Sequence, residues 1–311
     1  MGVQEQSGGS TMTHAPHLIS GQSLWEWRRD CKKQAAAADI PEQEVDWLLQ
    51  ELAGLDRLTL CLETFKSRPE IQLPIALAEL QFRWQRRVQE RVPVQYLAGF
   101  TPWRHLRLKV SEAVLIPRPE TEALIDLAIS SVPSGSPLAR GHWADLGMGS
   151  GAIGLGLAQA FPEATVHGVD TSAAALEIAR VNVAAYGLES VVHLYQGSWL
   201  EPLTHLKGQL SGVVSNPPYI PSQQLPVLQP EVTRHEPHLA LDGGPDGLTC
   251  IRHLVRSAAE YLQPGGLLLL EMMAGQGHAV ADLLTQTGAY HPIQIHLDLA
   301  RLDRYALAYK I

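Results

Sequence analysis

Cysteine is scarce in this chain: Cys31, Cys61 and Cys250 are the three among 311 residues. They are odd in number, far apart and lack CxxC spacing, which argues against a disulfide framework and against a zinc site, so no metal is expected. Each reads as a small buried or neutral residue rather than a nucleophile, and the usage fits a reducing compartment. Long apolar runs are missing too. No stretch approaches 18 residues, so no transmembrane helix is expected. The first 22 residues lack the apolar core of a signal peptide, and Gln6 stands where a myristoylation signal needs Ser or Thr. Residues 1–22 read as a disordered lead-in with Met12 as an alternative start, and the protein as cytoplasmic.

A basic surplus is the third absence. The 24 Lys and Arg face 32 Asp and Glu, a net charge of −8. Divided at residue 100, the chain carries 11 basic against 13 acidic residues before and 13 against 19 after. Neither part has the positive excess that phosphate-dominated binding needs, so no direct nucleic-acid substrate is expected. Arg83, Arg86, Arg87 and Arg91 form a local basic run that reads as a solvated helix face.

What remains is ordinary globular material, 45% hydrophobic and 18% charged, long enough for two domains. Residues 23–98 read as a small helical bundle with almost no strand signal. Ser23 can cap a helix containing Leu24, Trp25 and Trp27. Pro41 precedes a stripe of Val45, Leu48, Leu49 and Leu52 that Gly54 ends. Ile75 to Val92 is a third helix, stopped by Pro93. Scaffolding and recognition of a macromolecular substrate both suit such a bundle. Residues 99–134 read as a connecting hairpin and helix: Leu106, Leu108 and Val110 alternate with polar residues, and Pro119-Glu120-Thr121-Glu122 opens a helix with acidic residues in its first turn.

From 135 to 311 the pattern is strand, glycine turn, helix, repeated. Strands are predicted near 142–146, 164–169, 191–195, 211–215, 266–271, 291–297 and 304–310, with helices near 152–160, 172–186, 247–262 and 275–287. Such alternation means a mainly parallel sheet covered on both faces. Only Asp298 to Asp303 separate the last two strands, too few residues for a crossover, so they pair antiparallel. This α/β arrangement, a seven-stranded Rossmann-like sheet ending in a reversed strand, resembles the class I methyltransferase fold.

Two segments carry chemistry. Asp145-Leu146-Gly147-Met148-Gly149-Ser150-Gly151 lies between the first strand and its helix, where glycines let the backbone turn tightly and approach a ligand. The Ala152-Ile153 that follows does not supply the third glycine of the dinucleotide fingerprint. Asp170 ends the second strand, 19 residues beyond Gly151, where a carboxylate can accept both ribose hydroxyls. Asp145 is placed to meet an amino-acid moiety or to order the loop. Trp199, just past the third strand, either stacks on an adenine or sits in the core.

The second segment is Asn216-Pro217-Pro218-Tyr219, directly after the apolar fourth strand. Two prolines cannot extend the ladder, so the chain leaves the sheet in a stiff elbow. An amide nitrogen is a poor nucleophile because its lone pair is delocalised. A site helps by accepting hydrogen bonds from both of its N–H groups, and the Asn216 side-chain oxygen and the Pro217 carbonyl are two such acceptors. Tyr219 can cover the flat group by stacking. Alignment and electrostatics then carry the transfer of an already activated methyl. The elbow by itself leaves glutamine, adenine N6 and cytosine N4 open as acceptors.

With these residues together, the chain resembles the release factor glutamine methyltransferase family (the HemK/PrmC type) from about Pro93 to Arg304. The resemblance rests on Pro93 to Gly99, Val114 to Glu122 with its unusual Ile116-Pro117-Arg118-Pro119-Glu120-Thr121-Glu122, Asp145 to Gly151, the Asn-Pro-Pro-Tyr run, Glu236-Pro237 through Leu241, and Gly243 to Leu248. It implies N5-methylation, with S-adenosylmethionine as donor, of the glutamine in the Gly-Gly-Gln motif of bacterial-type class I peptide chain release factors. It further implies cofactor contacts at Gly147, Met148, Gly149, Ser150, Gly151, Asp170, Trp199 and Asn216. Substrate contacts fall on Asn216, Pro217, Pro218 and Tyr219, of which Asn216, Pro217 and Tyr219 are the catalytic group. The helical part would help grip the release factor. Met148 stands where threonine is usual, with its side chain expected to point away from the ligand. Glu271 to Gln276 is looser than the familiar version, and residues 1–90 resemble the family only in helical character. A glutamine methyltransferase acting on a ribosomal protein and an adenine N6 methyltransferase are the alternatives. The latter would need target recognition and base flipping, for which the chain has no spare length.

Overall fold

A computed structural model describes residues 17–311 and divides the chain into two compact units after Ala98. The lead-in expected over residues 1–22 lies outside the described residues up to 16. From 17 onward the expectation is corrected. His17–Ile19 (β1) pairs antiparallel with Ile71–Leu73 (β2), and the first helix begins at Gly21. Its cap is Ser20, not Ser23: the Ser20 hydroxyl accepts from the Ser23 N–H at 3.1 Å.

The first unit is otherwise helical: α1 (Gly21–Ala37), α2 (Gln43–Ala53), α3 (Arg57–Cys61), α4 (Leu77–Gln89) and α5 (Val94–Ala98). Leu24, Cys31 and Ala35 of α1, Val45, Leu48 and Leu49 of α2, and Leu80 and Trp84 of α4 recur at helical spacing and bury one common core. Gly54 ends α2 in the left-handed conformation at φ 69°. The basic run proves not to be a solvated face. Arg87 is buried and grips Glu44 with two bonds, Nε to Oε2 at 2.5 Å and Nη2 to Oε1 at 3.0 Å. Arg83 reaches Glu79 and the Leu97 carbonyl, and Arg91 donates to the Ala38 carbonyl at 2.6 Å. These guanidiniums tie helix ends together. The repeating sequence pattern of charge did not reveal that.

The second unit opens with a hairpin, β3 (Phe100–Trp103) and β4 (Leu106–Lys109), and a turn over Glu120–Glu122 that runs into α6 (Ala123–Ser131). Trp103, Leu106, Leu108, Leu124, Ile125 and Ala128 pack with Trp143, Leu155 and Val166 in one core, so this segment belongs to the sheet domain. The seven strands are β5 (His142–Leu146), β6 (Thr165–Asp170), β7 (Val192–Gln196), β8 (Leu210–Ser215), β9 (Leu262–Glu271), β10 (Tyr290–Leu297) and β11 (Asp303–Lys310). Helices α7 (Ala152–Ala160), α8 (Ala173–Ala185), the short α9 (Pro230–His235), α10 (Thr249–Tyr261) and α11 (Gly277–Thr287) connect them.

The spatial order is β10-β11-β9-β8-β5-β6-β7, with β11 antiparallel to both neighbours and the other pairs parallel. This is the expected seven-stranded sheet with its reversed strand. Strand order reverses between β5 and β8, the position where open α/β sheets bind ligands beyond the carboxyl ends of the strands. Asp145 pairs with Val214 there, so the glycine loop and the proline elbow leave neighbouring strands side by side.

Candidate active site

The glycine loop turns through three residues with positive φ, Gly147 at 74°, Gly149 at 54° and Gly151 at 87°. Side chains rarely adopt that region, which is why glycine stands at all three. A Cβ at Gly149 would meet nothing within 4 Å, and one at Gly147 would meet only the Trp199 ring at 3.9 Å. The backbone thus faces open space, a cradle with room for a ligand. The Met148 side chain goes the other way. It is buried in the core, and its sulfur fills the space that a side chain at Gly168 would take, 1.9 Å from such a Cβ. The Ser150 carbonyl is held by Asn182 Nδ2 at 2.8 Å.

One carboxylate braces the loop and another the helix that follows it. Asp170 Oδ2 accepts from the Gly149 N–H at 2.8 Å, and Oδ1 from the Ser172 N–H at 2.9 Å. A carboxylate has about four lone-pair sites, so both oxygens keep capacity for hydroxyl donors. Asp145 is fully buried, and its Oδ2 accepts from the Gly154 N–H at 2.7 Å. That bond ties β5 to α7, three residues past the glycine loop, and Oδ1 is buried without a hydrogen-bond partner among the described residues. Burial, with Asp170 nearby, pushes its carboxyl up to about 7 despite that hydrogen bond. Trp199, at φ 49°, packs against the β8–α10 core with its edge towards Gly147 and its ring 6.3 Å from that of His253.

At the end of β8, Ser215 is buried and donates to the Leu146 carbonyl at 2.6 Å, locking the start of the elbow to the strand that carries the glycine loop. Asn216 is half-buried and donates through Nδ2 to Thr121 Oγ1 at 3.0 Å. Its Oδ1 has no protein partner among the described residues, and neither has the Pro217 carbonyl. Asn216 is half-buried and Pro217 buried, and both oxygens lie on consecutive residues of the elbow. Tyr219 donates through its hydroxyl to Glu271 Oε1 at 3.2 Å, and burial together with that carboxylate raises its phenol well above the ordinary range. Pro218, between them, is half-buried.

After Tyr219 the chain is zipped to the segment 241–244. Ile220 N–H donates to the Leu241 carbonyl, Gly243 N–H to the Ile220 carbonyl and Ser222 N–H to the Gly244 carbonyl, at 2.8–3.0 Å. A side chain at Gly247 would strike the Tyr219 carbonyl at 2.3 Å, so the Gly243 to Leu248 run is what lets this loop lie on the elbow. Gln276 joins the same knot, its Nε2 donating to the carbonyls of Tyr219 and Gly247 and its Oε1 accepting from the Met273 N–H at 3.0 Å.

Sequence reasoning missed Thr121, Glu271, Gln276 and the pair Arg118–Glu236 as functional neighbours. Arg118 Nη2 donates to the buried Glu236 at 2.5 Å, anchoring the stretch before Thr121, while Tyr305 donates to the Glu120 carbonyl at 2.6 Å. One signal was readable: Glu271 is a lone carboxylate ending the apolar run Leu267 to Leu270, at the edge of the sheet where ligands bind. The rest depends on long-range contacts.

Comparison with known proteins places the chain in a family. The family model described as Methyltransferase small domain matches residues 126–244, and the one described as PrmC N-terminal domain matches 26–99. The helical part therefore carries a family likeness that reading residues 1–90 as merely helical did not find. A release factor glutamine methyltransferase from Synechocystis sp. is 51% identical over 94% of this chain and 97% of its own length. The proteins of the same name from Thermosynechococcus vestitus and Moorella thermoacetica are 48% and 42% identical, over 93% and 89% of this chain and 99% and 94% of theirs. With both family models in place and near full-length identity of this order, this chain belongs to the release factor glutamine methyltransferase family.

Proposed function

We propose that this protein transfers a methyl group from S-adenosylmethionine to the side-chain N5 nitrogen of the glutamine in the Gly-Gly-Gln motif of bacterial-type class I release factors. The observation that carries the reading is the orientation of Asn216. Its NH2 is engaged by Thr121, so its oxygen is the end left for a substrate, beside the free Pro217 carbonyl.

S-adenosylmethionine supplies a methyl on a positively charged sulfur, an electrophile that needs no further activation. The glycine cradle fits it: an open backbone turn, a carboxylate at Asp170 placed for ribose hydroxyls, and an indole at Trp199 on the flank. What the protein must improve is the nucleophile. Asn216 Oδ1 and the Pro217 carbonyl accept the two N–H groups of the glutamine amide, turning its lone pair towards the methyl. They also stabilise the positive charge that reaches the nitrogen as the C–S bond breaks and the N–C bond forms. The alkylated nitrogen then releases one proton. Tyr219 covers the flat amide face, held by Glu271.

With a net charge of −8 we expect no nucleic-acid substrate, and with a translation factor as partner we place the reaction in the cytoplasm. None of the helices among the described residues is long and apolar enough to cross a membrane. The test is incubation of the full chain with labelled methyl donor and purified release factors, ribosomal proteins and DNA in parallel. Label on the release-factor glutamine alone is the expected result. Label confined to a ribosomal protein or to DNA would replace this reading.

A further inference from the structure

The turn between β10 and β11, Asp298 to Leu302, has its polarity inverted. Exposed turns ordinarily carry polar side chains outward, where water meets them. Here the one carboxylate of the turn points in and the leucines point out. Asp298 Oδ1 accepts from the N–H groups of Ala300 and Leu302 at 2.9 and 3.0 Å, and Oδ2 from Arg304 Nε at 3.2 Å. The Asp298 N–H donates to the Leu302 carbonyl at 2.8 Å, and its carbonyl accepts from the N–H of Arg301, which sits at φ 61°. The Asp298 side chain is 6% exposed. Leu299 is fully exposed, while Leu297 and Leu302 beside it are 55% and 47% exposed. A turn pinned by so many bonds has little freedom left to lose, so apolar anchors on it bind at low entropic cost.

The place of the turn in the sheet indicates what covers it. β8, β9 and β10 run in one direction, so Leu297 ends β10 at the same edge where Asn216 follows β8. The order β10-β11-β9-β8 puts the turn two to three strand spacings from the elbow, a lateral distance of about 10–15 Å. The two are also tied together. Arg304, held by Asp298, donates to the Met272 carbonyl at 3.3 Å, and the neighbouring Glu271 accepts from the Tyr219 hydroxyl. A stable protein contact covers about 800 Å² on each partner, a patch about 16 Å in radius. The footprint of a folded protein whose glutamine enters at Asn216 therefore reaches this turn.

We propose that Leu297, Leu299 and Leu302 form a docking knuckle for the release factor, packing against an apolar patch on the domain that presents its Gly-Gly-Gln loop. The proposal rests on the glutamine-methylation reading and adds where, outside the catalytic corner, the folded substrate is recognised. Two tasks are thereby separated. The elbow aligns the amide whatever carries it, whereas the knuckle acts only on a partner large enough to span both. It contributes to the KM for the intact protein and not to the chemical step, because it binds ground state and transition state alike.

The full-length chain carrying Leu299→Ser, or Leu297→Ser, Leu299→Ser and Leu302→Ser together, is compared with wild type on intact release factor and on a short Gly-Gly-Gln peptide. Ile311→Ser is the control, an exposed apolar residue at the opposite end of the same strand pair, about 25–30 Å away. For the triple variant, KM on intact release factor is expected to rise at least about tenfold, with kcat and donor affinity within about twofold. Its kcat/KM on the peptide, like every parameter of Ile311→Ser, stays within about twofold of wild type. Leu299→Ser alone is expected to raise KM at least about threefold, and decides the matter if the triple variant does not fold. An unchanged KM on intact release factor overturns the docking role. Equal losses on peptide and intact protein overturn it too, since the turn would then only support the elbow. A wild type that elutes as a dimer beside a monomeric triple variant assigns the leucines to a second copy, and likewise overturns it. A wild type that labels neither substrate defeats the glutamine-methylation reading itself, a result distinct from labelling with unchanged KM.

Discussion

Asn216 is half-buried, is braced on its nitrogen side, and leaves an oxygen without a protein partner. Removing that oxygen takes away an interaction strongest when charge has moved onto the substrate nitrogen. Asn216→Ala is therefore expected to cut kcat by about 100-fold or more, the range seen for losing one such electrostatic partner. Donor affinity should stay near wild type, because the glycine loop and Asp170 remain. Single-turnover kinetics beside calorimetry separates these, and normal turnover would reject the role. Asp170 is a different kind of residue, since each of its oxygens also holds a loop N–H. Asp170→Ala should weaken the donor complex at least tenfold in calorimetry. It should also lower stability by about 1–3 kcal/mol, the scale of a lost charged hydrogen bond.

Elements meet in this sheet by trading side chains for glycines. Gly168 of β6 has no side chain because Met148, from the loop after β5, occupies its place with its sulfur. Gly168→Ala should cost about 1–3 kcal/mol through overpacking. Met148→Thr, the residue the family resemblance leads one to expect, opens room there. Paired with Gly168→Ala it should recover much of that cost, and urea unfolding of the four-member mutant cycle measures the coupling. Additive losses would mean the two side chains do not compete for one space. Packing of this kind was partly legible. The alternation of strands and helices was readable and the Met148 side chain was expected to turn from the ligand, but the adjacency of β5 and β6 and the filling of Gly168 needed the register Asp145 to Gly168.

The whole molecule carries a pH signature from carboxyls buried beneath its site. Asp145 ordinarily titrates at 3.8 and is pushed up to about 7 by burial in the fold. Between those values the folded chain keeps a proton that the unfolded chain gives up. The contribution of this group therefore falls as pH rises from about 4 to 7, by about 1.4 kcal/mol per unit of separation. Asp145→Asn keeps an oxygen for the Gly154 N–H and has no charge to bury. Relative to wild type it should gain stability between pH 5 and pH 7.5 in chemical denaturation, and an identical difference at both pH values would contradict the assignment.

The mainly parallel sheet, the reversed last strand, the glycine turn and the proline elbow were all readable in the linear chain, because each follows from local rules, whereas the spatial order of the strands was not. Apolar alternation marks a strand, glycine marks positive φ, and two prolines end a ladder. Even the helix boundaries 152–160 came out at Ala152–Ala160. The pairing of β1 with β2, the burial of Arg87 on Glu44 and the knot of Gln276 on Tyr219 and Gly247 were not, for they join residues 29 to 57 positions apart. Which way the Asn216 amide points is the sharpest case. The residue types at 121 and 216 permit either orientation, and only folding brings the Thr121 hydroxyl, 95 positions away in the chain, to that amide as an acceptor for its nitrogen.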